Sequence, residues 1–127
     1  MSLAIGLRGE ATLIVSERET AAALGAGGVH VLATPMMINL MENAAWRAVQ
    51  SQLAEGDTTV GMVVNVRHLA ATPVGGHVTA TAELVEIDGR RLVFQVSAHD
   101  DSGLIGDGTH ERVIVHLARF LERVSKR

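Results

Sequence analysis

Residues 32 to 50, LATPMMINLMENAAWRAVQ, form a single long segment that is apolar around most of a helical circumference. A helix of this kind cannot lie on a flat layer with one side in water; it has to be wrapped. Its start is marked by Thr34 followed by Pro35, a hydroxyl that can accept from an orphan N–H and a residue that gives up no needed donor, so Thr34 is expected as the N-cap. Gly56 limits its end, and the helix is predicted to run to about Leu53.

From Val60 onward the periodicity changes to two. Val60, Met62, Val64, Val66 and His68 are expected on one face of a strand and Gly61, Val63, Asn65 and Arg67 on the other. The next strand places Val78, Ala80, Ala82 and Leu84 together, Asp88-Gly89 signals a tight hairpin, and Leu92, Phe94, Val96 and Ala98 continue the pattern. After the turn DDSGLIGDG, the stretch THERVIVHLARF reads as a last long strand. An earlier strand over residues 7–15 and a glycine-containing loop, with a short helical turn at its start, precede the helix.

One strand, a helix and four antiparallel strands have a simple solution: a strongly twisted five-stranded antiparallel sheet curls around one long central helix. The fold class is therefore α+β, the hotdog fold, with residues 1–127 as a single domain. The 127 residues suffice for one core, and with aromatics at only 2% that core must be built from Val, Leu, Ile, Ala and Met. Unpaired sheet edges and a convex face favour a two-fold homodimer or a dimer of dimers.

Charge and composition exclude several roles. The net charge of −3 carries no basic block beyond the terminal RVSKR, which argues against nucleic acid. No stretch approaches a membrane span, and the opening MSLAIGLRGEATLIV lacks a basic leader before an apolar run, so a cytoplasmic protein without membrane partners is expected. There is no cysteine, which removes thiolate metal sites and a thiol nucleophile. The six histidines include no His-x-His or His-Glu-x-x-His pair; His110 and His116 share a strand face, but a metal is poorly supported. GAGG at 25–28 lacks dinucleotide-loop spacing and reads as a flexible lid.

Against this background Glu42 stands out. It lies outside the polar stripe of Asn39, Asn43, Arg47 and Gln50, at the flank of the buried face, where ionisation needs a compensating partner. Pairing with Arg47 or a turn into solvent is the bland alternative. His68 ends a strand face directed at the helix and could bond a helix carboxylate. A hydroxyl at a helix start, a carboxylate two turns later and a sheet histidine could converge on one acyl carbonyl.

The segments ATPMMINLMENAAWRAV, VGMVVNVRHLAATPVG, VTATAELVEIDGRRL and VSAHD followed by GTHERVIVHL resemble, in residues and spacing, the fluoroacetyl-coenzyme A thioesterase branch of the hotdog thioesterases. The resemblance runs from about Ala33 to Phe120. It implies Thr34, Glu42 and His68 as catalytic residues, Gly61 beside the acyl group, and hydrolysis of a short acyl-CoA to the free acid and CoA without metal or cofactor. Glu42 would be nucleophile or base for water, His68 a proton shuttle, and Thr34 would orient the carboxylate or touch the acyl group. N–H groups at the helix start would stabilise the oxyanion. Arg90, Arg91 and Arg112 are candidates for binding the CoA phosphates, Arg112 being the one assigned to substrate. The lid, AAALGAGGVHVLA, has no aromatic residue where the fluoroacetyl enzyme has phenylalanines, which argues against selectivity for a fluorinated acyl group. Two rivals are a non-catalytic acyl-CoA or acyl-carrier-binding hotdog dimer and an enoyl-thioester hydratase; the latter needs Asp and His at the helix, which has neither.

Overall fold

In the computed structural model, which describes residues 2–127, five strands surround one long helix. The elements are β1 (Arg8–Ile14), a 3-10 turn (Glu17–Glu19), α1 (Thr34–Val49), a second 3-10 turn (Gln50–Gln52), β2 (Asp57–His68), β3 (His77–Asp88), β4 (Arg91–Asp100), β5 (Gly103–His116) and α2 (Leu117–Ser125). The sheet order is β1-β3-β4-β5-β2, antiparallel throughout, so the expected hotdog architecture is what forms. Met37, Met41, Ala44, Ala45, Ala48 and Val49 of α1 are buried with Ala80, Ala82 and Leu84 of β3 and Leu92, Phe94 and Val96 of β4. Small residues on α1 let β1 come close: a Cβ on Gly9 would press on the Ala44 carbonyl oxygen and stand 2.6 Å from Ala48 N.

Three boundaries differ from expectation. The α-helix ends at Val49, and the residues up to Gln52 tighten into the 3-10 turn, tied by Gln50 Nε2 donating to the Asp57 carbonyl at 3.0 Å and Thr58 Oγ1 to Gln50 Oε1 at 2.9 Å. β5 begins at Gly103, earlier than expected, because Asp101 and Ser102 alone make the turn. LARF is not strand: Leu117, Phe120, Leu121 and Val124 recur at helical spacing, and the chain folds there into α2.

The consequential difference lies in β2. Gly61 pairs with Arg112 and Val63 with Glu111, so Met62 is an extra residue in a β-bulge. One inserted residue reverses the alternation. Thr59 and Gly61, opposite Ile114 and Arg112, therefore share the inner face with Val64, Val66 and His68, whereas Val60 turns to the other side. β2 is also an edge strand, and Met62, Val63 and Val64 are exposed along it.

Candidate active site

Thr34 is the first residue of α1, and the N-cap position belongs to Ala33, which has no side chain to cap with. Freed from capping, the Thr34 hydroxyl lies 2.8 Å from His68 Nδ1 at the end of β2. Burial lowers the His68 pKa below the ordinary histidine value, the nearby Ala70 backbone offsetting part of the effect, so the ring is neutral at pH 7 and able to accept a proton. Its Nε2 is buried without a hydrogen-bond partner. Pro35 has no N–H, and those of Met36 and Met37 both donate to the Ala33 carbonyl. The Thr34 N–H is what this first turn can offer an oxyanion, fewer donors than expected.

The pair opens on a cleft of about 370 Å³. Ala21, Ala26, Val29 and Leu32 of the loop before α1 line it together with Thr34 and His68. Bridges between Thr20 and Leu32 and between Val31 and Pro73 hold that loop over the helix start. The lining is small and aliphatic, which favours a short acyl chain.

Glu42 belongs to a second cluster. Its Oε2 is 3.6 Å from Arg112 Nη1, so its partner is on β5; Arg47 donates instead to the Glu10 carbonyl. Arg112 is buried, its Nε donating to Thr59 Oγ1 at 2.8 Å and its Nη2 to the Thr59 carbonyl at 3.0 Å. Nη1 also lies 3.2 Å from His110 Nε2. A guanidinium cannot accept, so Nε2 must, and the proton of this imidazole sits on Nδ1, donated to the Val63 carbonyl at 2.8 Å. Burial, with the adjacent Arg112 charge, holds the His110 pKa below the ordinary histidine value and keeps the ring in that neutral form. Gly61 completes the cluster: a Cβ there would be 2.6 Å from Glu42 Oε2.

Thus within one chain Thr34 meets His68, while Glu42 pairs with Arg112. Eight residues of α1 separate Thr34 from Glu42, roughly 12 Å along the axis. Arg112 lies beneath Glu42 and does not reach outward to a phosphate; Arg91 is engaged by Glu86, Asp88 and Glu111. Thr59 and His110 escaped sequence reasoning as members of this cluster, although Thr59 is inward once the bulge is counted and His110 lies opposite the buried Phe94.

A model of the family described as FlK, fluoroacetyl-CoA-specific thioesterase, matches residues 15–118. The chain belongs to this family. It is 47% identical over 97 residues to a fluoroacetyl-CoA thioesterase of Streptantibioticus cattleyicolor, covering 76% of this chain and 70% of that protein. A solved structure of the fluoroacetyl-CoA thioesterase FlK superposes with a TM-score of 0.93 at 39% identity, covering 100% of this chain and 98% of that one. A Thermus thermophilus member of the thioesterase superfamily matches with a TM-score of 0.88 at 31% identity, covering 98% and 94%. The lid segment of this chain, residues 21–33, contains no Phe, Tyr or Trp.

Proposed function

We propose that this FlK-family chain hydrolyses short acyl-CoA thioesters at a site made by two copies, Thr34 and His68 from one and Glu42, Gly61 and Arg112 from the other. The observation carrying this reading is the Thr34–His68 hydrogen bond facing a small aliphatic cleft, with the only acid of α1 held two turns away beside a glycine. β2 supplies the route to convergence. Its outer edge is unpaired among the described residues and exposes Met62, Val63 and Val64, the kind of edge that takes another strand. Antiparallel pairing of two β2 edges about an axis between Val64 and Asn65 sets Gly61 opposite His68 of the second copy. Glu42 then stands beside the Thr34–His68 pair.

In the reaction, oxygen is added to the thioester carbonyl carbon and the C–S bond breaks, consuming one water and releasing acid and thiol. Glu42 either takes a proton from the attacking water or attacks to form a glutamyl anhydride that water then cleaves. His68 passes the proton to the departing sulfur, Thr34 orients the imidazole, and Arg112 holds the carboxylate. Among the described residues no helix is long and apolar enough to cross a membrane, and a CoA substrate fits a cytoplasmic site of action.

Free-thiol release from acetyl-, propionyl-, butyryl- and longer acyl-CoA tests the activity. Turnover strongest on the short chains is expected, and none with Glu42→Ala; an active Glu42→Ala enzyme removes Glu42 from the mechanism. Mixing Glu42→Ala and His68→Ala chains tests the shared site. If the acid and the imidazole come from different copies, each heterodimer holds one intact site and the equilibrated mixture recovers roughly a quarter of wild-type activity. No recovery from subunits shown to exchange refutes the two-copy arrangement.

A further inference from the structure

A second cleft, of about 480 Å³, lies at the far end of the sheet from the lid and is lined by Arg90, Arg119 and Arg123 together with Asp57, His116 and the β5 residues Val113 to Val115. Its chemistry is cationic in a chain of net charge −3. Arg119 and Arg123 are exposed, one turn apart on α2, and neither has a carboxylate within 4 Å among the described residues. Like charges at this spacing repel. The one acid in the cleft, Asp57, is 3.7 Å from Arg90 Nη2, and Arg90 is fixed by its Nε donating to the Ile114 carbonyl at 2.8 Å. His116, the N-cap residue of α2, makes no capping bond, and its Nδ1 is buried without a partner. The Leu117 N–H that opens α2 is met by the Gly56 carbonyl at 2.9 Å, so what the cleft lacks is acceptors for Arg119, Arg123 and the His116 imidazole nitrogen, and the phosphate-rich end of a ligand would supply them.

We infer that this cleft binds the 3′-phospho-ADP end of the CoA thioester, with Arg119 and Arg123 on the phosphates and Arg90 beside them. The assignment rests on the thioester reading above and adds to it the residues that recognise the carrier. Position supports it: Asp57, which lines the cleft, and Gly61, beside Glu42, are four residues apart on β2, about 13 Å, a gap the pantetheine arm can span. Recognition here is independent of the acyl group, so it sets how tightly CoA esters bind and leaves the chemical step unchanged.

The test compares the wild type with an Arg119→Glu/Arg123→Glu variant of the full chain on an acyl-CoA and on the acyl-pantetheine carrying the same acyl group. The expected result is a KM for acyl-CoA raised by roughly tenfold or more, with kcat unchanged and both constants unchanged on acyl-pantetheine. Normal turnover of acyl-pantetheine also shows that the variant is folded. An unchanged KM for acyl-CoA overturns the assignment, as does an equal rise on both substrates. If the wild type cleaves neither ester, the hydrolysis reading fails by itself, and calorimetry with CoA decides the site: binding weakened tenfold in the variant supports it, and equal binding overturns it.

Discussion

Gly61→Ala isolates the geometry of the acid from the stability of the fold. The new methyl group would stand 2.6 Å from Glu42 Oε2, 3.5 Å from His110 Cε1 and 3.7 Å from Arg112 Nη1. The latter two are ordinary van der Waals separations; the first requires the carboxylate to retreat by about 1 Å to regain contact distance. Glu42 can do so, because its side chain is 38% exposed and the clash falls on its far end. A partly exposed ion pair such as Glu42–Arg112 contributes about 1 kcal/mol or less, and Arg112 keeps both bonds to Thr59, so the stability change should stay within about 1 kcal/mol. Catalysis should respond far more strongly. A displacement of about 1 Å in a reacting group costs on the order of a hundredfold in rate, close to 3 kcal/mol of barrier. Thiol release under saturating acyl-CoA measures kcat, and urea unfolding measures stability. A variant with wild-type kcat would remove Gly61 and the position of Glu42 from the mechanism; a large stability loss would show that the clash is not absorbed by the carboxylate.

Gly9→Ala should behave in the opposite way, since its Cβ meets the α1 backbone at Ala44 and Ala48, which cannot swing aside; a loss of about 1–3 kcal/mol in urea unfolding is expected, with kcat of the folded fraction preserved, and an unchanged midpoint refutes the packing argument. Thr34→Ala removes the hydroxyl bonded to His68 and should lower kcat by roughly ten- to a hundredfold, while Thr34→Ser should stay near wild type; equal activity in all three makes the hydrogen bond irrelevant to turnover. His68 and His110 have folded-state pKa values depressed by burial, so the unfolded chain takes up protons first as pH falls. Their stabilising contribution is complete above the unfolded histidine value of about 6.5 and is lost below it, as pH falls through the folded values. Tm should therefore drop between pH 7 and the acid side of 6, and an NMR midpoint at or above 6.5 for both rings would refute the assignment.

The helix and the strand faces of β3 up to Leu84 and of β4 were legible because their apolar periodicities run unbroken there, and burial follows them residue by residue. The bulge at Met62 was not, since an extra residue in a strand leaves a sequence that still alternates on both sides while exchanging the faces on one of them. α2 is masked for a related reason: the strand alternation through Ile114 continues smoothly into LARF, and only Leu117, Phe120, Leu121 and Val124 together carry the helical spacing. In the site, the residue types were readable and their partnerships were not. Thr34 before Pro35 has the pattern of a cap, but a cap needs a side chain before the first turn, and Thr34 stands inside it, bonded to His68. Two turns of α1 then keep the Thr34 hydroxyl from Glu42, and no rotamer change spans that distance. A mechanism that needs all three groups at one carbonyl must therefore bring the acid from another copy, and the exposed edge of β2 is the place where two such chains can add strand to strand with His68 facing Gly61.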